Sequence, residues 1–67
     1  MSRYRILLVD DEPAILKSLG DYFQKLGHEV FRADTGKGGI ALFQSVRPDV
    51  TVVDLKLPDI TGLEVLE

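Results

Sequence analysis

The sequence predicts an α/β fold built around a parallel sheet, and two apolar runs that end in acidic residues are the main reason. The run at residues 6–9 is followed directly by Asp10, Asp11 and Glu12, and the run at residues 50–53 by Asp54. Continuous Val- and Leu-rich runs of this length are typical of strands buried on both faces of a parallel sheet. The segments between the runs carry helical periodicity, so strands and helices alternate as a parallel βα architecture requires.

The first strand is predicted at about residues 5–9, and the first helix begins near Pro13. Proline is favoured at the first helical position because its missing N–H would have no partner there. The helix carries one apolar stripe and stops at Gly27, since glycine readily adopts the backbone conformation that ends a helix. We expect the stripe to pack in the core, and its members are Ile15, Leu16, Leu19, Tyr22, Phe23 and Leu26.

The second strand, at about residues 29–33, is more polar and is expected at an edge of the sheet. Asp34 or Thr35 is the expected cap of the second helix, whose apolar residues lie between positions 40 and 46, before Arg47 and Pro48 end it. Glycines in the first turns each weaken a helix by about 1 kcal/mol relative to alanine. We therefore expect those turns to be frayed or non-helical at Gly36, Gly38 and Gly39.

The third strand is predicted at residues 49–53, and a third helix starts after Pro58 and Gly62. The five residues that follow Gly62 make little more than one helical turn, which is costly to nucleate alone. Nothing in the sequence covers the outer edge of the third strand. We therefore expect residues 1–67 to be part of a domain, comprising three strands, two helices and the start of a third helix.

Composition excludes several classes of protein. The chain has 67 residues, so it is at most one small domain, and it has no cysteine for disulfides or thiolate metal sites. Its net charge of −3 and scattered basic residues argue against a nucleic-acid surface. The first apolar run is too short for a signal peptide or a membrane span. We expect a soluble, cytoplasmic protein that binds neither membrane nor nucleic acid directly.

The acidic strand ends predict a site for phosphoryl transfer. If the first and third strands are neighbours, Asp10, Asp11 and Asp54 meet at one edge of the sheet, where open α/β sheets bind ligands. Clustered carboxylates repel one another unless a cation such as Mg²⁺ offsets their charge. Asp54, alone on its strand, is the better nucleophile, and the Asp10-Asp11 pair is the better metal clamp. Residues 10–12 could also cap the helix, one acid capping while another binds metal.

The motifs LLVDDEP at residues 7–13 and PDVTVVDLKLPDITGLE at residues 48–64 resemble the receiver domain of bacterial two-component response regulators. The resemblance covers essentially the whole chain and implies a flavodoxin-like, doubly wound parallel sheet of order 2-1-3-4-5, truncated here after the third strand and the start of the third helix. It implies a signalling module rather than an enzyme. It also implies partners, namely a histidine kinase or phosphotransfer protein as phosphate donor and an output domain in the intact parent.

The same resemblance implies roles for individual residues. Asp54 would be the phosphoacceptor, and Pro58 and Gly62 would shape the loop after it. The Mg²⁺ ligands would be Asp11 directly, Asp10 largely through water, Asp54, and the backbone carbonyl of Lys56. The family's switch Ser/Thr, its phosphoryl-contacting Lys and its aromatic switch residue have no counterpart in these 67 residues. Lys56 does not replace that Lys because it lies in the loop directly after Asp54.

Other interpretations stay open beside this one. Asp54 could be a strand-end acid that only accepts backbone hydrogen bonds. A haloacid-dehalogenase type of hydrolase also has a nucleophilic Asp at a strand end, but it usually has a second Asp two residues later, where this chain has Lys56. The chain could instead act only as an interaction module, forming a homo-oligomer through the third-strand edge.

Two further features of the sequence are not predicted to form a functional site. His28 is expected to be a solvated loop residue rather than a ligand. The segment GKGG at residues 36–39 lacks the spacing of a phosphate-binding P-loop.

Overall fold

The computed structural model describes residues 2–54, which form three parallel strands and two helices. In chain order these are β1 (Arg5–Val9), α1 (Pro13–Lys25), β2 (Glu29–Ala33), α2 (Gly36–Val46) and β3 (Val50–Val53). The strand order is β2-β1-β3, with both neighbours parallel to β1. The predicted α/β architecture, and the placement of β2 at one edge of the described sheet, are therefore confirmed. The predicted third helix and the Lys56–Gly62 loop lie outside the described residues.

The strand β1 forms the centre of the core because it is flanked on both sides and covered on both faces. Its residues Ile6 to Val9 are at most 5% exposed. Leu7 and Val9 pack with Ala33 on the α2 face of the sheet. The other two core residues of β1 pack with Leu16 on the α1 face. The alternation along one strand therefore supplies both halves of the core.

Helix α1 begins and ends where the sequence predicts, but only part of its apolar stripe is buried. Pro13 is its first residue, and Gly27 follows its end with a φ of 93°, a conformation that favours glycine. Leu16 is buried, and Leu19 and Phe23 pack partly against the core. The prediction for the other half of the stripe is wrong, since these residues are exposed: Ile15, Tyr22 and Leu26. The described sheet is too narrow to cover a stripe of that width.

Helix α2 corrects the expectation of frayed first turns. Thr35 caps it by accepting a hydrogen bond at 3.0 Å from the backbone N–H of Gly38, and the helix starts at Gly36. Gly36 and Gly39 are buried, and a Cβ at Gly39 would lie 2.8 Å from Cγ2 of Val9. Gly39 allows the helix to approach β1 closely, and this packing outweighs the weak helix propensity of glycine.

The strand β3 is less buried than the sequence predicts. Val50 and Val52 are 47% and 41% exposed, and Thr51 and Val53 are half-buried. Both helices pack mainly over β1 and β2, so the helices described here cover the α1 face of β3 only in part. The strand starts one residue after the predicted Asp49, which still bonds to β1: its N–H donates to the carbonyl of Arg5 at 2.8 Å, and its Oδ2 accepts from the N–H of Arg5 at 2.8 Å.

A polar contact joins β2 to α1. Arg32 of β2 donates from Nε to the carbonyl oxygen of Leu16 at 3.2 Å, and its guanidinium lies where a Cβ of Gly20 would be. Asp21 lies 3.5 Å from the same guanidinium and also accepts a hydrogen bond from Lys17. The hydrogen bond from Lys17 is the main reason that the pKa of Asp21 is lowered. Neither helix is long and apolar enough to cross a membrane within residues 2–54.

Candidate acidic site at the carboxyl end of the sheet

The register of the sheet brings the two acidic segments together. Val9 of β1 lies beside Val53 of β3, so the residues that follow them, Asp10 and Asp54, leave the sheet at the same level. The backbone N–H of Asp54 donates to the carbonyl of Val9 at 2.9 Å, which continues the β1–β3 ladder to the last described residue. On the other side of β1, the N–H of Asp10 donates to the carbonyl of Ala33 at 3.1 Å. The backbone at this edge is therefore fixed on both sides.

Three carboxylates meet at this edge. Asp10, Asp11 and Asp54 each offer one oxygen, and these oxygens all lie within 4.8 Å of one another. Asp10 and Asp54 are half-buried, whereas Asp11 is exposed. The group therefore has a partly enclosed inner side and an open outer side, through which a solute can approach.

The Asp10 carboxylate has a further partner in the chain. Its Oδ1 accepts a hydrogen bond at 2.9 Å from the backbone N–H of Glu12. Glu12 is the N-cap residue of α1, and its own side chain makes no capping hydrogen bond. The prediction that one of the acids at residues 10–12 serves the helix start thus has a structural counterpart, although it acts through Glu12 rather than on the first helical turn itself.

The other residues considered from sequence are not members of this group. Asp34 follows β2 and is exposed, and it is not a member of the three-carboxylate cluster. His28 lies at the opposite end of the sheet. It was predicted to be a solvated loop residue, but it is half-buried. Its Nδ1 accepts from the backbone N–H of Tyr4 at 3.2 Å, and the two rings lie 5.4 Å apart. Lys56, whose carbonyl was a predicted ligand, is outside the described residues.

Sequence reasoning missed two contacts near the strand ends. The hydrogen bond between Asp10 and Glu12 spans only two residues, and the Asp-x-Glu spacing before a proline is the one local signal for it. The close approach of Gly39 to Val9 depends on how α2 packs against β1, and no local pattern encodes that distance.

Comparison with known proteins agrees with this geometry. Residues 6–67 match the family model described as "Response regulator receiver domain". The chain is 46% identical over 65 residues to the transcriptional regulatory protein TrcR of Mycobacterium tuberculosis, covering 97% of this chain and 25% of that relative. The chain therefore spans only a part of the curated protein that it matches.

Solved structures show the same fold. The chemotaxis response regulator CheY4 of Vibrio cholerae superposes with a TM-score of 0.91 at 32% identity, covering 97% of this chain and 54% of that one. The response regulator TrrA of Thermotoga maritima, solved in complex with Mg²⁺-BeF, superposes with a TM-score of 0.84 at 41% identity, covering 91% and 53%. The predicted flavodoxin-like fold is thereby confirmed. The chain belongs to the response regulator receiver domain family, the phosphorelay signalling modules of two-component systems.

Proposed function

We propose that this chain is the phosphoacceptor module of a two-component response regulator and that Asp54 receives the phosphoryl group. The observation that supports this most directly is the meeting of Asp10, Asp11 and Asp54 within 4.8 Å at the carboxyl end of the parallel strands. Residues 1–67 would then be the β1-to-β3 part of a receiver domain, with the start of its third helix. The module acts in the cytoplasm as a signalling element rather than as an enzyme.

The carboxylate cluster suits a single Mg²⁺ ion. Oxygens bound to one Mg²⁺ at about 2.0–2.1 Å are separated by no more than about 4.2 Å. Oxygens of adjacent ligands lie closer still, at about 2.9 Å, so directly bound carboxylates must close from the 4.8 Å limit, whereas an acid that binds through water can stay farther away. In this proposal Asp11, Asp54 and the carbonyl of Lys56 hold the ion directly, and Asp10 holds it largely through water. Bound there, the ion would offset negative charge on the phosphoryl oxygens.

Asp54 is the strongest candidate for the nucleophile because of its position in the sheet. Its backbone N–H is anchored to Val9, so the start of the side chain is fixed while the carboxylate remains at the edge. A carboxylate oxygen of Asp54 forms a bond to phosphorus as the bond from phosphorus to the donor's histidine nitrogen breaks. The products are an acyl phosphate on Asp54 and a histidine free of phosphate. Asp10 and Asp11 would hold the Mg²⁺ ion beside the phosphoryl oxygens throughout the transfer.

The partners follow from the chemistry of the transfer. The phosphate donor is the phosphorylated histidine of a kinase or of a phosphotransfer protein, and the receiver of the signal is an output domain in the intact parent. TrcR is a transcriptional regulatory protein about four times the length matched here, which supports an attached output region. The chain itself makes no direct contact with nucleic acid in this proposal.

Intact-mass analysis tests the assignment. The 67-residue chain is incubated with a small phosphodonor and MgCl₂, together with the variants Asp54→Asn and Asp34→Asn. We expect a phosphoryl adduct on the parent and on Asp34→Asn, because Asp34 lies outside the cluster, and none on Asp54→Asn. An adduct on Asp54→Asn at the parent's stoichiometry would contradict the assignment. Omitting Mg²⁺ should greatly reduce the adduct on the parent.

A second function, self-association, is favoured by one specific observation. Val50 and Val52 leave nearly half of their surface exposed on β3, which is the last strand in the described order. Such a strand can pair with a second copy of the chain. This function can coexist with phosphoryl transfer.

A further inference from the structure

Asp10 makes a contact that phosphoryl transfer does not require. Its Oδ1 accepts the backbone N–H of Glu12 at 2.9 Å, so the carboxylate is turned back toward the chain that leads into α1. Asp11, between them, is exposed. The two neighbouring acids therefore differ, because one is bound to the local backbone and the other faces solvent.

Glu12 is the residue from which α1 begins. Its carbonyl oxygen accepts the N–H groups of Ile15 and Leu16 at 3.1 and 3.2 Å. Helices usually start with a side chain that bonds to the first-turn amides, but the Glu12 side chain makes no such bond. Instead, the Asp10 carboxylate holds the N-cap residue by its amide. Since Leu16 is buried in the core, a chain of hydrogen bonds runs from Asp10 to a core residue of α1.

We propose that Asp10 is a positioning residue that fixes the start of α1 through the Glu12 amide, and that it thereby links a cation in the acidic cluster to the first turn of this helix. The positioning half stands on the hydrogen bond alone, and the cation half rests on the proposed function. The two halves need different properties of the side chain. Accepting an amide hydrogen requires an oxygen but no charge, whereas attracting Mg²⁺ requires the charge.

Amide hydrogen exchange measured by NMR on the 67-residue chain separates these requirements. Without Mg²⁺, we expect the Glu12 amide of Asp10→Asn to exchange at nearly the parent rate, because the side-chain amide oxygen can accept the same bond. In Asp10→Ala the exchange should be roughly fivefold faster, the size expected for one net hydrogen bond. The matched control is Asp11→Ala, which should leave the protection of the Glu12 amide unchanged once its rate is corrected for the new preceding residue. Equal exchange in the parent and Asp10→Ala, or equal acceleration in Asp11→Ala, would overturn the positioning role.

The same samples titrated with MgCl₂ test the link to the cation. In the parent, we expect Mg²⁺ to slow exchange at Glu12, because a cation restrains the carboxylate that accepts this amide. Asp10→Asn should need roughly tenfold more Mg²⁺ for the same shifts at Asp11 and Asp54, since one negative charge is gone. Shifts at Asp11 and Asp54 without slower exchange at Glu12 would refute the link alone. No shifts at either residue would refute the Mg²⁺ part of the proposed function and with it the link.

A serine variant keeps the test decisive if Asp10→Ala does not fold. The hydroxyl of Asp10→Ser can accept a hydrogen bond from the N–H two residues on, without a carboxylate. A folded Asp10→Ser chain with a protected Glu12 amide would support the positioning role. If Asp10→Ser and Asp10→Asn were both as unfolded as Asp10→Ala, the carboxylate itself would be essential, and a role that any acceptor can fill would be refuted.

Discussion

Arg47 occupies a backbone conformation that ordinarily belongs to glycine. It ends α2 with φ of 49° and ψ of 69°, and its N–H donates to the carbonyl of Phe43 at 3.1 Å. Pro48 follows, and the residue before a proline is disfavoured from continuing a helix. Arg47 therefore turns the chain out of α2 toward β3 at a conformational cost, because a side chain with a Cβ is strained in the left-handed region.

Replacing this residue should stabilise the chain. We expect Arg47→Gly to raise the free energy of unfolding by about 0.5–1 kcal/mol, the relief of left-handed strain being partly offset by the greater freedom of glycine in the unfolded chain. Urea denaturation followed by circular dichroism measures the change. Arg47→Ala is the control, because it removes the same side chain but keeps the Cβ. Equal stabilisation by both variants would show that the side chain, and not the backbone, is the source of the strain.

At the scale of one helix, Gly39 of α2 packs closely against Val9 of β1. An added Cβ would lie 2.8 and 2.9 Å from the two methyl carbons of Val9, which is closer than side chains tolerate. We expect Gly39→Ala to lower the free energy of unfolding by about 1–3 kcal/mol, although alanine is the better helix former. Urea denaturation again measures the change in the free energy of unfolding.

A double-mutant cycle identifies the contact responsible. Val9→Ala removes the two methyl groups that Gly39→Ala would strike. If the overlap is the cause, the double variant should lose less stability than the sum of the two single variants. Strict additivity would mean that Gly39 is required for another reason. Because Val9 immediately precedes Asp10, this contact also sets the distance between α2 and the acidic edge.

Some features of the helices and strands are predicted by local sequence signals, and others depend on tertiary packing. Pro13, Gly27 and Thr35 fix helix boundaries by their own backbone and capping chemistry, so these boundaries could be read from the sequence. The helical first turns of α2 could not, because glycine propensity opposes them and the packing of Gly39 against Val9 that outweighs it leaves no local signal. The exposure of Val50 is equally non-local, since it depends on which strands the helices cover.

The acidic site follows the same division. Two apolar strands that each end in acid were sufficient to place Asp54 near Asp10 and Asp11, because parallel neighbours end at the same edge. The bond between Asp10 and the Glu12 amide depends on one side-chain rotamer, and sequence allowed only the general statement that acids favour helix starts. The residue types and their spacing thus predicted the cluster, whereas the orientation of each carboxylate required the structure.

At the scale of the whole molecule, one face of the described sheet is unevenly covered. Val50 and Val52 lie in register with Ile6 and Leu8, but only the β1 pair is buried beneath α1. Val52 and the exposed Ile15 border the same shallow apolar depression. Apolar surface of this kind next to the last strand of the described sheet favours association between copies.

We therefore expect the 67-residue chain to sediment as a concentration-dependent mixture of monomer and a larger species. Val50→Thr combined with Val52→Thr keeps the strand-forming branched shape but replaces two methyl groups by hydroxyls, which should weaken association roughly tenfold at about 0.8 kcal/mol per apolar group. Leu26→Gln is the control, because Leu26 is 52% exposed but lies just after α1, away from β3. Sedimentation velocity over a wide concentration range measures all three chains. A monomer at every concentration would refute the association, and equal weakening by Leu26→Gln would place the contact surface away from β3.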